Sequence, residues 1–262
     1  SRYGIHPLSP SLDQVGVLTR TVRDASLIAS HLLGYDPQAP NMLPPEVFTH
    51  LESLDIRGRE TATPPKLALV KTSAWSLADD EQQQQLMACA EIFEQAGASI
   101  DMISLPLAFH SFHTTLAQVM LPEVAQGLEA VRSHHPNKLS DRLSAKIDEG
   151  RLISAVDYLK AIASRTIYQD YFNRLFTSYD AILTLAVSST APAGLDTTGD
   201  PIFCELWSFT GLPAIALPSG LSPSGLPLSI QLVGGYVQDH HLLAIAQWCE
   251  QFLPQLGPPP CA

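Results

Sequence analysis

The residues with the most chemical promise lie between positions 194 and 213, in GLDTTGDPIFCELWSFTGLP. Asp196, Thr197, Thr198 and Asp200 sit just ahead of a short amphipathic stretch. Asp200 is placed to cap that stretch, and Pro201 suits its first turn. Phe203, Trp207 and Phe209 supply aromatic surface. A polar loop followed by aromatics, between two buried strands, is how a small-molecule pocket is usually built. The same residues also fit a capped helix that packs its aromatics into the core, and the sequence leaves both readings open.

Other chemistries find less support. Nine histidines include the pairs His134-His135 and His240-His241, but neighbours on a helix point in different directions and chelate poorly. His110 and His113 are three apart, with no acidic or cysteine ligand close by in sequence. No HxxxH or HExxH occurs, so no metal is expected. The GxSxG elbow of a serine hydrolase is absent. Ser188-Ser189 follow a predicted strand, where sites on α/β sheets often lie, yet Ser-Ser-Thr-Ala-Pro also reads as a polar loop. Neither GxGxxG nor GxxxxGK[ST] is present, and no cofactor is expected.

These residues need a scaffold, and the hydrophobic pattern supplies one. Residues 21–33 carry a helical stripe of Val22, Ala25, Ile28, Ala29, Leu32 and Leu33, with Thr21 as N-cap and Gly34 just past the end. Residues 35–65, rich in Pro and polar groups, read as a long surface connection. KLALVK (66–71), a helix over about 79–95 ended by Gly97, and SIDMIS (99–104) form a strand–helix–strand unit, which predicts a parallel crossover. Helices follow near 107–133, 138–150 and 154–177. The last is expected to bury Leu159, Ile162, Ala163, Ile167, Tyr171 and Leu175. DAILTL (180–185), PAIALP (213–218) and LSIQLV (228–233) read as buried strands of a mixed sheet. A helix over 238–252 and a frayed tail, LGPPPCA, close the chain. The class is α/β: a mixed central β-sheet covered by helices on both faces.

Composition narrows the function. With 45% apolar and 16% charged residues the chain is globular. A net charge of −11 and no basic run argue against direct nucleic acid binding and against an anionic membrane surface. Cys89, Cys204, Cys249 and Cys261 are far apart and form no CxxC pair, which fits a reducing, cytoplasmic setting. No apolar run approaches a bilayer span and no signal peptide is visible. The chain starts Ser1-Arg2-Tyr3-Gly4 and moves at once into ordered-looking sequence, from which we expect that its natural beginning is missing.

Two stretches carry a family resemblance. PLSPSLDQVGVLTRTVRDA (7–25) resembles the segment that follows the catalytic serine region in the amidase-signature family, through Ser11, Leu12, Asp13, Gly16, Thr19, Arg20, Val22 and Asp24. GLPAIALPSG…GLPLSIQLVGG (211–235) resembles that family's C-terminal pair of strands, ending in Gln-Leu-Val-Gly. YDAILTLAVSSTAPAGLDTTGDP, between them, has the same look. Read physically, Asp13, Arg20 and Asp24 are expected to pair and cap around the first helix as scaffold.

The resemblance implies that residues 1–262 are the C-terminal portion of a single amidase domain, with a helical insertion at about 107–177. The family hydrolyses amides with a Ser–cis-Ser–Lys triad and a backbone oxyanion hole. Its lysine lies far upstream, and both serines lie in a Gly/Ser-rich stretch shortly before the position of Tyr3. No such stretch occurs in these 262 residues, and Lys66, Lys71, Lys138, Lys146 and Lys160 match none of the family's lysine context. No triad residue is therefore carried over, so catalytic residues: none. On the substrate side, the resemblance points to Thr198, Asp200, Phe203 and Trp207 as contacts. Asp200 falls near an acidic residue of the glutamine-using subunit of the tRNA-dependent amidotransferases. Arg151 and Lys146 are secondary candidates for a carboxylate partner. The implied activity is hydrolysis of a small carboxamide to carboxylate and ammonia, with this chain inactive as given and a homodimer allowed. Two alternatives stand beside it. One is the A-type component of an amidotransferase, releasing ammonia from glutamine; the other is a non-catalytic interaction protein derived from the fold.

Overall fold

The structure is a computed structural model and describes residues 1–39, 42–51, 56 and 63–257. Much of the expected 35–65 connection, Cys261 and the end of the LGPPPCA tail lie outside the described residues. Among the described residues five strands form one sheet: β1 (Lys66–Lys71), β2 (Ser99–Ser104), β3 (Ala181–Leu185), β4 (Ala214–Leu221) and β5 (Pro227–Val233), in the order β2-β1-β3-β5-β4. β1 runs parallel to β2, from Lys66 opposite Ser99 to Lys71 opposite Ser104, and parallel to β3. β5 is antiparallel to both β3 and β4. The sheet is mixed, as the short apolar runs predict.

Side chains alternate across each strand, so one sheet makes two cores. Leu67 and Leu69, Leu183, Ile230 and Leu232 face α3 (Asp80–Gln95) and α9 (Asp239–Glu250), meeting Leu86, Cys89, Phe93, Ile245 and Trp248. Ala68, Val70, Ile182 and Val233 point the other way. There they meet Phe112 and Leu116 of α4 (Phe112–Gly127), Tyr168 and Phe172 of α7 (Ala155–Leu175), and Trp207 and Phe209 of α8 (Glu205–Thr210). β1 and β3 are buried on both faces, which is why they read as unbroken apolar runs. The α3 crossover ends at Gly97, whose φ of +105° turns the chain into β2.

The helical stretch between β2 and β3 also contains α5 (Glu129–His134) and α6 (Asp141–Leu152). Ile147 of α6 packs on Val124 and Ala125 of α4, in a small third core. Side-chain caps start three of the helices. Thr21 accepts from the Asp24 N–H and opens α1 (Val22–Leu32); Ser140 and Ser154 do the same for α6 and α7. A further helix, α2 (Pro45–Leu51), lies in the segment expected to be connection alone. Among the described residues, no helix is long and apolar enough to cross a membrane.

One expectation holds only in part on α7: Ile162, Tyr171 and Leu175 are partly buried against the core, but Leu159, Ala163 and Ile167 are not. Its buried face is Ala161, Tyr168 and Phe172, while Leu159 and Ile167 are 62% and 68% exposed. The helix turns its aromatic side to the sheet because Tyr168 and Phe172 find partners there. Phe109 meets both rings edge-on, at 4.9 and 5.5 Å. Leu159 and Ile167, on the other side of the helix, are left in solvent.

Candidate active-site wall

The chain leaves β3 through an exposed loop that reaches α8. Thr198 and Asp200 are both exposed on this loop. Thr197 Oγ1 accepts from the Gly199 N–H at 3.1 Å, and Asp200 Oδ1 accepts from the Ile202 N–H at 3.0 Å. Asp200 therefore caps a turn that precedes α8 rather than α8 itself, whose N-cap, Cys204, makes no side-chain capping bond to the helix. The turn closes through Cys204 N–H to the Pro201 carbonyl at 2.7 Å.

Sequence-adjacent aromatics then separate. Phe203 is buried on the α3/α9 side of the sheet, while Trp207 and Phe209 are buried on the α4/α7 side. The Trp207 ring centroid is 5.4 Å from that of Phe172, and Phe209 is 5.5 Å from Phe112. Of the four predicted contacts, Trp207 lines the large cavity of about 1420 Å³; Thr198, Asp200 and Phe203 do not. Ser208 and Gly211 extend the α8 wall of that cavity. Gly211 ends α8 in the left-handed region, at φ +73°, and the Tyr236 ring lies 3.3 Å from where a Cβ would stand.

α8 is fastened from three directions. Gln231 Nε2 donates to Cys204 Sγ at 3.6 Å, and the thiol donates to the Ala186 carbonyl at 3.4 Å. His113 Nδ1 and Glu205 Oε2 are 2.8 Å apart. At the far end, Gln169 Nε2 donates to the Thr210 carbonyl at 2.9 Å. Such fixing of a short helix suits a wall that must hold a ligand's position.

Two charged residues of the cavity lining, Glu123 and Arg165, were not foreseen from the sequence. Glu123 of α4 is nearly buried, 9% exposed, and its carboxylate accepts from three donors. These are Ser9 Oγ at 2.6 Å, the Ser11 N–H at 3.0 Å and Tyr158 OH at 2.9 Å. Arg165 of α7 lies over the Phe209 ring at 4.9 Å and reaches the Ser11 carbonyl and Oγ at 3.4 Å each. Burial lowers the Arg165 pKa, opposed mainly by the nearby Glu123. Both residues carried a signal. Glu123 is a charge inside the apolar run Val119–Ala125, and Arg165 falls four after Ala161 and three before Tyr168 on the buried stripe.

The remaining candidates fall elsewhere. Asp13 accepts from the Leu8 and Ser9 N–H groups, at 2.9 and 3.0 Å, and so folds its own loop. Among the described residues no ion pair joins Asp13, Arg20 and Asp24. Thr21 takes the capping role instead, and the expected cluster does not form. Ser189 Oγ donates to the Thr190 carbonyl at 3.1 Å. Among the described residues, no hydrogen bond links Ser188 or Ser189 to a histidine, lysine or carboxylate. Arg151 pairs with Glu129 on the surface. No group of three or more potential ligands that could hold a metal ion is found among the described residues.

Comparison with known proteins places this architecture. The chain is 30% identical to the A component of the glutamyl-tRNA(Gln) amidotransferase of Rhodospirillum rubrum over 93% of its own length and 54% of that protein. It is 28% identical to the corresponding Rubrobacter xylanophilus protein, over 96% and 57%. The chain thus spans about half the length of the curated relatives it matches. Among solved structures, a bacterial aryl acylamidase of the amidase signature family superposes with a TM-score of 0.71 at 22% identity, covering 92% of this chain and 53% of that one. The A component of the Thermotoga maritima glutamyl-tRNA(Gln) amidotransferase superposes with a TM-score of 0.75 at 24% identity, covering 99% and 58%. At these identities the superpositions establish the fold. The sequence model of the Amidase family matches residues 1–243, and the chain belongs to that family.

Proposed function

We propose that the protein is an amidohydrolase that cleaves a small carboxamide to a carboxylate and ammonia. Residues 1–262 are, in this reading, the C-terminal portion of its single amidase domain, with 107–177 as a helical insertion. The observation that carries it is the Amidase family match over residues 1–243. The cavity supports it: an aromatic side chain, Trp207, and a guanidinium, Arg165, line one space large enough for a small molecule. Trp207 would seat the apolar part of the substrate. Thr198, Asp200 and Phe203 lie outside this lining, and in this reading they would meet the substrate only where it extends beyond the cavity toward their loop. No catalytic residue is assigned within the chain. A cytoplasmic setting is supported by Cys89 and Cys249, free thiols that are both buried. The proposed partner is a small amide, with a homodimer as the assembly and no direct nucleic acid or membrane contact.

The test is ammonia release from a panel of small primary amides by the protein as its gene encodes it. Turnover is expected, and Trp207→Ala is expected to raise KM roughly tenfold with a smaller change in kcat. No ammonia from any amide, glutamine included, would overturn the proposal. Hydrolysis by the 262-residue chain that disappears in Ser188→Ala or Ser189→Ala would overturn the absence of a nucleophile in it.

A second reading is favoured by the curated relatives, which are A components of glutamyl-tRNA(Gln) amidotransferases. It predicts glutamine as the preferred ammonia source and co-purification of a partner protein. Efficient hydrolysis of aryl or alkyl amides by the protein alone would exclude it.

A further inference from the structure

Arg165 has more hydrogen-bonding capacity than its surroundings use. A guanidinium carries five N–H donors in a fixed plane. Among the described residues Nη2 reaches only the Ser11 carbonyl and hydroxyl, both at 3.4 Å, which is long for a charge-assisted bond. The buried Nε–H has no partner among the described residues. No carboxylate forms an ion pair with Arg165 among the described residues. Its acidic neighbour Glu123 is committed to Ser9, Ser11 and Tyr158.

The charge is nonetheless held in a half-buried place. The guanidinium lies over the Phe209 ring, 4.9 Å from its centroid, and it borders the same cavity as Trp207. A partly desolvated cation is costly unless an anion meets it. The planar fork matches one carboxylate in two parallel bonds. A dianion fits less well, because the chain carries a net charge of −11 and Glu123 lines the same cavity.

We propose that Arg165 is the anion-binding residue of this cavity, and that it takes the carboxylate of a small amide substrate bearing one. The proposal rests on the amidohydrolase reading above and deepens it: the substrate is anionic, with its apolar part toward Trp207. A carboxylate borne by another protein segment is the competing occupant.

Succinamate and butyramide, close in size and differing in the carboxylate, form the test pair. Binding is measured by calorimetry and turnover by ammonia release, with the full gene product, Arg165→Gln and Arg165→Lys. Succinamate is expected to bind more tightly than butyramide. Arg165→Gln should weaken succinamate roughly 10- to 100-fold and butyramide far less, with Arg165→Lys in between for succinamate. Equal binding of the two by the unaltered protein would overturn the proposal and leave the protein-segment occupant. So would equal loss of both in Arg165→Gln, or full succinamate affinity in either variant. Should Arg165→Gln fail to fold, Arg165→Lys and the unaltered pair still decide. Arg165-dependent succinamate binding without hydrolysis of any amide would sink the amidohydrolase reading and leave the anion site standing. Hydrolysis of butyramide alone would do the reverse.

Discussion

Glu123 shows what one side chain does to fix the wall of the cavity. Its Oε2 takes Ser9 Oγ and the Ser11 N–H, and its Oε1 takes Tyr158 OH. Burial, and then Glu123 as a neighbour, raise the Tyr158 pKa, so the phenol stays a donor at neutral pH. Glu123→Ala leaves three donors unmet and is expected to cost about 2–4 kcal/mol in urea denaturation. Glu123→Gln should cost less, about 1–2 kcal/mol, because the Tyr158 hydroxyl can turn and accept from the new amide. Equal losses in the two variants would mean that packing, not hydrogen bonding, holds the loop. The thiols give a second prediction. Burial pushes the Cys89 pKa up to about 11, and burial raises Cys249 as well. Between the ordinary thiol range near 9 and about 11, the unfolded chain loses the Cys89 proton while the folded chain keeps it. Stability is then fully present below pH 9 and falls as pH rises, by about 1.4 kcal/mol per unit from this group at most. Urea titrations at pH 8 and 10 should show the loss, and Cys89→Ala should shrink it. The same slope in Cys89→Ala would assign it to other groups.

Elements in this fold were legible where one physical rule decided them. The buried strands and the α3 crossover follow from short apolar runs bounded by glycine and proline, whereas the pairing register is not encoded by β1 and β3, which are apolar on both faces. Thr21 was legible as a cap because the bond is local. The face of α7 was not. Leu159 and Ile167 carry a helical period as good as that of Ala161, Tyr168 and Phe172, and only the edge-on contacts of Phe109 with Tyr168 and Phe172 choose between them. The Glu123–Ser9 contact spans 114 positions, a separation that no local pattern encodes. Helix-on-helix contact is equally non-local. At Gly150 in α6, an added Cβ would lie 2.1 Å from the Leu121 carbonyl oxygen of α4. That backbone is next to Pro122, the proline inside α4, and cannot retreat like a flexible side chain. Gly150→Ala is expected to destabilise by about 2–3 kcal/mol in urea unfolding despite its better helix propensity. A stabilising effect would mean that α4 and α6 do not approach this closely.

At the scale of the molecule, apolar surface is left uncovered in a patterned way. Leu152 closes α6, and Val156, Leu159 and Ile167 continue along the outer side of α7. They are 87%, 59%, 62% and 68% exposed. Steps of three and eight residues put the last three on one side of the helix. A row of this kind is an adhesive surface, and it adds to the exposure of β2 at one edge of the sheet and the partial exposure of β4 at the other. The 262-residue chain is therefore expected to bind hydrophobic dyes and to self-associate at micromolar concentration. Leu159→Lys with Ile167→Lys should reduce both, as read by dye fluorescence and light scattering. It should leave the melting temperature nearly unchanged, because side chains this exposed bury little on folding and surface changes seldom exceed about 0.5 kcal/mol. A marked fall in melting temperature would mean that this side of α7 is packed in solution. Unchanged scattering at constant stability would move the adhesive surface to the sheet edges, where a lysine in β2 at Met102, itself 57% exposed, is the corresponding substitution to make.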